Sequence, residues 1–192
     1  DTGDRSRAFR WSFSFDHSQR LPGDIMLLAD INMINDVGIL VGKRSGLLAN
    51  NGDINLIAQG NIYADAKSSI VTGGAITVND SVASIGINQD IAVVIDDNSR
   101  LEAKNINILA SVEKLHATAK ADSKTIAASS NSNAEADLEI SSDTNIHVKN
   151  SATLKAENSL KIRSNHNDVV TASTAVATID AGVTGSLSAT AY

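Results

Sequence analysis

The residues best suited to chemistry in this sequence are the carboxylates Asp90, Asp96 and Asp97, which are flanked by Arg100 and Lys104. Carboxylates on adjacent coils of a β-helix could bind a metal ion or act as acid and base on a polysaccharide. The run Asp96-Asp97-Asn98 is also typical of a solvated corner between two strands, because Asp and Asn favour tight turns. We expect the corner, since only fold-level analogy favours catalysis. The chain is therefore predicted to be no enzyme and to have no catalytic residues.

Metal and cofactor motifs are also missing from the sequence. The Gly-Gly-x-Gly-x-Asp repeat that binds calcium in solenoids is broken at its third glycine in the run Gly73-Gly74-Ala75-Ile76. The four histidines are far apart, without a metal-ligand spacing. We predict no metal-binding residues and no cofactor. Calcium stays open as a ligand, because Asp and Asn at corners supply hard oxygen atoms.

Charge and composition exclude several classes of partner. The net charge is −6, and the 16 Lys and Arg residues are scattered along the chain, so a nucleic-acid partner is not expected. No apolar run approaches the roughly 18 residues of a membrane span. The chain is 42% hydrophobic but only 3% aromatic, and it contains no cysteine. Its core must therefore be built from small aliphatic side chains.

Apolar residues recur at a spacing of two in short bursts, which is the period of a β-strand. The bursts are separated by segments rich in Asn, Asp, Gly and Ser, which are too short for a crossover helix. The run G-D-I-M-L-L-A at residues 23–29 recurs as G-D-I-N-L-I-A at 52–58, with a weaker echo at 74–78. Later bursts recur with a similar short period. This spacing predicts a right-handed parallel β-helix with coils of about 22 residues.

A longer period lies above the short one. The run that begins at Leu101 resembles the run that begins at Leu154, and alternating small residues follow both. This longer period is about 54 residues. Between these runs lies a segment rich in Ser and Ala, from Thr125 to Ala136, which could be a loop. We favour additional strands there, because the alternation of small residues is kept.

The G-D-I-x-L-x-A and L-x-A-x-N-x-x-x-I units of residues 23–192 resemble the repeats of filamentous-haemagglutinin-type and leukotoxin-family filamentous adhesins of bacteria. The resemblance implies a secreted protein of the cell surface, a stalk or filament subunit that mediates adhesion or self-assembly. Its expected partners are a glycan, a matrix polymer or a host surface, together with copies of itself. The alternative is a β-helix lyase or hydrolase that acts on an acidic polysaccharide.

Two apolar features are candidate contact sites. Residues 1–22 form a separate N-terminal segment ahead of the solenoid repeats, and Phe9, Trp11, Phe13 and Phe15 alternate there with polar residues. This strand could cap its own solenoid or dock into a neighbouring copy. Leu28 and Ile57 lie on the face opposite the inward residues of the two G-D-I units. They could form a lateral contact or be covered by the chain's own loops.

Overall fold

The computed structural model describes residues 24–179 and 184–191, all of them in strands or short corners. The five strands are β1 (Asp24–Val41), β2 (Gly46–Ile95), β3 (Arg100–Val148), β4 (Thr153–Ile179) and β5 (Thr184–Ala191). The described part contains no helix long and apolar enough to cross a membrane. The aromatic residues Phe9, Trp11, Phe13 and Phe15 lie outside the described residues.

Every strand pair is parallel, in the order β1-β2-β3-β4, and β5 also pairs with β3. The chain is therefore an all-β parallel solenoid, as the strand periodicity predicted. Register partners are separated in sequence by the longer period, as in the pairs Asp24 with Val78, Asp53 with Asn105 and Ser129 with Thr184. The longer sequence period is thus the one that stacks. The shorter predicted spacing does not occur as a pairing in the described strands.

The two longest strands fold back on themselves. Ser81 donates a hydrogen bond to the Ser68 hydroxyl at 2.8 Å inside β2, and the hydroxyls of Ser123 and Ser132 lie 2.7 Å apart inside β3. The described residues consequently form three first arms (46–74, 100–127 and 153–179) and four second arms (24–41, 76–95, 129–148 and 184–191). The G-D-I run at 52–58 lies on a first arm, whereas residues 24–29 of the earlier run lie on a second arm. The short repeat therefore marks the two arms and not two stacked coils.

The core lies between the two arms and is made of aliphatic side chains, as the composition predicted. Alternate residues are buried along most of β2 and β3, so one face of each arm points inward. Ile106, Ile108 and Leu115 in the middle of the stack are fully buried. The alternation of the second G-D-I unit predicts that Ile54 points inward and Asn55 outward, and this is confirmed, because Ile54 is 8% exposed and Asn55 is exposed.

The alternating alanines are part of this core. Ala117, Ala119 and Ala121 are buried in β3, and the segment from Thr125 to Ala136 continues the same strand. These residues form strands, as we favoured, although alanine is the strongest intrinsic helix former. Tertiary packing decides here, because a small side chain lets the two arms approach closely.

The corners between strands repeat the same turn. Residues 42–45, 96–99 and 149–152 stack on one another, and the third residue of each has a positive φ: Arg44 at 59°, Asn98 at 57° and Ser151 at 58°. Backbone bonds link successive corners, including Arg44 N–H to Asp97 O and Asn98 N–H to Asn150 O. A left-handed residue lets the chain turn sharply without a glycine, which costs about 1–2 kcal/mol for a side chain other than Asn or Asp.

Polar side chains also stack along the axis of the solenoid. Asn105 donates to Asp53 at 2.7 Å and accepts from Ser159 at 2.9 Å, so three successive coils are linked. Glu113, at a point where β3 gains one residue relative to β2, accepts from Gln59 and Asn167 in the adjacent coils. Each of these contacts joins residues one long period apart, and together they support the register independently of the backbone.

Candidate functional site

The second arms carry a strongly acidic outer face. Their sequences contain nine carboxylates and no Lys or Arg, so the rest of the chain carries a net charge of +3, the difference between −6 and −9. Eight of these carboxylates alternate with the inward residues and therefore point outward. The outward carboxylates belong to Asp30, Asp36, Asp80, Asp90, Glu135, Asp137, Glu139 and Asp143. We call this surface the acidic face.

Three aspartates of the acidic face stand in one column. Asp90 pairs in register with Asp36 on one side and with Asp143 on the other, and all three are exposed. Adjacent strands of a sheet are about 4.8 Å apart. No cation of the described chain lies within salt-bridge distance of any of the three. Asp36, Asp90 and Asp143 thus form a column of like charges on the acidic face.

The first arms carry charges of both signs, and many of these are paired. Lys67 contacts Asp65 at 2.7 Å, Lys120 contacts Asp122 at 3.0 Å, and His116 contacts Asp168 at 3.0 Å. The hydrogen bond and the charge of Asp65 raise the pKa of Lys67. The ring of Tyr63 lies against His116 with centroids 5.8 Å apart. The two outer faces of the solenoid therefore differ in charge balance.

The carboxylates singled out in the sequence are not brought together. Asp90 lies on the acidic face, whereas Asp96 and Asp97 lie at the corner between β2 and β3. The Asp97 N–H donates to the Asp96 carboxylate at 2.8 Å, and Lys149 lies 3.3 Å from the same carboxylate. Both contacts lower the pKa of Asp96, and the Asp97 N–H has the larger effect. A carboxyl held in its ionised form by a lysine suits a structural corner better than a general acid.

The other predicted contact residues fall in separate places. Leu28 lies on the outer face of a second arm, in register with Val82, and Ile57 lies on the outer face of a first arm, in register with Leu109. Ile57 is 41% exposed and Leu28 is half-buried. Both point outward, but they belong to different arms and form no common row.

The aspartate column was not predicted, although the sequence contains a signal for it. Asp36, Asp90 and Asp143 follow one another at the longer repeat period. Among the described residues, no group of three His, Cys, Asp or Glu side chains has a geometry suited to a metal ion. The column therefore presents separate charges along the surface and no enclosed ligand set.

Comparison with known protein families, with curated proteins and with solved structures gives no match to this chain.

Proposed function

We propose that this chain is a structural and adhesive β-solenoid, a segment of an extracellular stalk or filament at a bacterial surface. The observation that carries the proposal is the nearly constant register of the stack, in which successive coils pair in parallel at an offset of one long period. Such a stack transmits force through backbone ladders and can be lengthened by adding coils. The resemblance of its repeat units to filamentous adhesins supports the same role.

The acidic face is the surface that we assign to adhesion. A surface with one sign of charge attracts partners of the opposite sign and repels polymers of its own sign. The partner best suited to it is a matrix polymer or a host glycan that carries amino groups. Salt should weaken this binding, because exposed charges are screened over about 8 Å at physiological ionic strength.

A second candidate is the β-helix lyase or hydrolase, favoured by one observation. Asp36, Asp90 and Asp143 place carboxylates on adjacent coils, as polysaccharide-cleaving β-helices require. The charge of the surface argues against this function. An acidic polysaccharide needs cationic groups to hold it, and the second arms contain no Lys or Arg.

A binding experiment separates these two functions. Chitosan, a polyglucosamine with free amino groups, and polygalacturonate, a polyuronate, are immobilised, and retention of the full chain is measured at low and high salt. The test variant carries Asp36→Asn, Asp90→Asn and Asp143→Asn. The control carries Asp65→Asn, Asp122→Asn and Asp168→Asn, and it removes the same number of charges from the first arms.

We expect salt-sensitive retention on chitosan, at least tenfold weaker for the test variant and close to normal for the control. Equal retention of both variants would show that the acidic face is not the adhesive surface. Release of unsaturated or shortened sugars from polygalacturonate, lost in the Asp90→Asn protein, would overturn the structural function in favour of the enzyme.

A further inference from the structure

The end of the core where a first arm runs into a second arm is more polar than the rest. We call it the fold-back end and define it as the inward residues of 68–81 in β2 and of 121–134 in β3. Eight of the eleven buried polar residues of the described chain lie there. They are Ser68, Thr77, Asn79, Ser81, Ser123, Thr125, Ser130 and Ser132.

Six of these eight residues are hydrogen-bonded to other side chains of the fold-back end. The side-chain amide of Asn79 donates to the hydroxyls of Thr72 and Thr125. Because an unpaired polar group in a core is costly, such pairing is the rule in proteins. Pairs of serine hydroxyls are formed by Ser68 with Ser81 and by Ser123 with Ser132.

Three buried oxygen atoms of the same end have no hydrogen-bond partner among the described residues. They are Thr77 Oγ1, Asn79 Oδ1 and Ser130 Oγ, on residues that are 8%, 0% and 7% exposed. Proteins satisfy buried groups of this kind with ordered water, which makes about three hydrogen bonds in such a site. The fold-back end therefore has the acceptors and donors that an internal water molecule requires.

The register places two of these oxygens on adjacent coils. Thr77 in β2 pairs with Ser130 in β3, and neighbouring strands lie about 4.8 Å apart. Two hydroxyls at that separation are too far apart to bond directly, but one water at about 2.8 Å from each bridges them with a bent geometry.

Small residues leave space at this level of the coil. Gly74 and Ala127 are register partners just before the chain turns into the second arm. Apart from its chain neighbours, Gly74 has only the Thr77 methyl and the Ile76 carbonyl oxygen within 4 Å of the position of an added Cβ. The turn is thus not filled by a large side chain from the first arm.

We propose that a buried water molecule bridges the hydroxyls of Thr77 and Ser130 and links two coils at the fold-back end. Water both donates and accepts, so it satisfies two hydroxyls that no protein group reaches. Asn79 supplies a third acceptor on the same inward face, two residues after Thr77. This site goes beyond the proposed function and does not depend on it.

Isosteric variants of the full chain test the proposal by the sign of their effect in urea denaturation. Thr77→Val and Ser130→Ala should each lower the equilibrium constant for folding by about five- to tenfold, because each removes a hydrogen bond to the water. The double variant should lose little more than the larger single loss, since the same water is lost. Thr118→Val, on the exposed outer face of β3, is the matched control and should change the constant less than about twofold.

Nuclear Overhauser spectra of the labelled full chain detect the water directly. The Thr77 methyl should give a cross-peak to water, and this cross-peak should be lost in Ser130→Ala. Higher stability of Thr77→Val and of Ser130→Ala, with additive effects, would overturn the proposal, because both hydroxyls would then be dry and unpaired. A wild-type urea midpoint that is higher in sodium or potassium chloride than in choline chloride, with no difference in Thr77→Val, would overturn water in favour of an alkali cation.

Discussion

The column of Ile54, Ile106 and Leu160 gives the most quantitative prediction about stability. The three side chains stack in register and are 8%, 0% and 46% exposed, so one chemical change can be compared at three depths. Truncating Ile106 to alanine removes about 2.4 kcal/mol of transfer free energy, at roughly 0.8 kcal/mol per methylene. The cavity left between two coils raises the cost to about 3–4 kcal/mol.

Truncation at the other two positions should lower the free energy of unfolding less, because their side chains are more exposed than that of Ile106. Leu160→Ala removes a side chain that is half in water and leaves no closed cavity, so its cost should be about 1 kcal/mol. Ile54→Ala should fall between the two, at about 2–3 kcal/mol. Asn55→Ala, on the exposed outer face, is the control and should change the free energy of unfolding by less than about 0.5 kcal/mol.

Urea denaturation of the dilute monomer measures these costs as shifts in the transition midpoint at constant slope. The order Ile106, Ile54, Leu160 is the result expected from the stack. Equal losses at the three positions, or the largest loss at Leu160, would refute the reasoning, because the residues would then not share one column with these neighbours.

Three further predictions follow from the corners, the charges and the packing between the arms. Asn98→Val should destabilise the fold by about 1–2 kcal/mol in urea denaturation, because a β-branched residue is strained at a positive φ of 57°. The Asp97 N–H and Lys149 lower the pKa of Asp96, and Ser111 and Asn167 lower the pKa of Glu113. Both carboxylates therefore stabilise the fold above about pH 4, and this stability is lost as the pH falls through their lowered pKa values. The urea midpoint should therefore fall on acidification, and it should fall less in the double variant Asp96→Asn with Glu113→Gln. Gly60→Ala should lower the free energy of unfolding by about 1–3 kcal/mol, because a Cβ there would overlap the inward side chains of the opposite arm. Unchanged stability in thermal or urea unfolding would contradict the close contact of the arms.

The strand content and the inward faces could be predicted from the sequence, because both follow from a period of two residues. Ile54 is buried beside the exposed Asn55, and the alternating alanines around Ala119 lie in a strand. The strict period survives even where intrinsic propensity favours helix, since each inward side chain is packed between two coils. The two-residue alternation of apolar side chains was therefore sufficient to predict the strands and their inward faces.

The length of the coil could not be predicted from the short repeat. The G-D-I runs resemble each other because both arms require the same inward Ile and Leu and the same small residue at the end of a burst. Nothing local distinguishes two arms of one coil from two stacked coils. Only the longer period carries that information, and an extra residue at Glu113 interrupts it.

The acidic face was missed for the same reason. Asp36, Asp90 and Asp143 are far apart in sequence and become neighbours only once the long period is taken as the stacking distance. In the sequence, Asp96 and Asp97 were the more obvious candidates, because they are adjacent along the chain. In the structure they lie at a corner, where Lys149 contacts Asp96. In a solenoid, the chemistry of a surface depends on residues one coil apart more than on residues that adjoin in sequence.

Nitroxide labels on paired cysteines test whether residues one long period apart stack on each other. Asn88 and Ser141 are register partners on the outer face of the second arms, whereas Ser141 and Arg163 are separated by the short period and lie on opposite outer faces. We expect strong dipolar broadening of the electron paramagnetic resonance spectrum for labels at Asn88→Cys with Ser141→Cys, since adjacent strands are about 4.8 Å apart. We expect much weaker broadening for labels at Ser141→Cys with Arg163→Cys. Strong broadening in the second pair and its absence in the first would contradict stacking at the long period and would favour stacking at the short period.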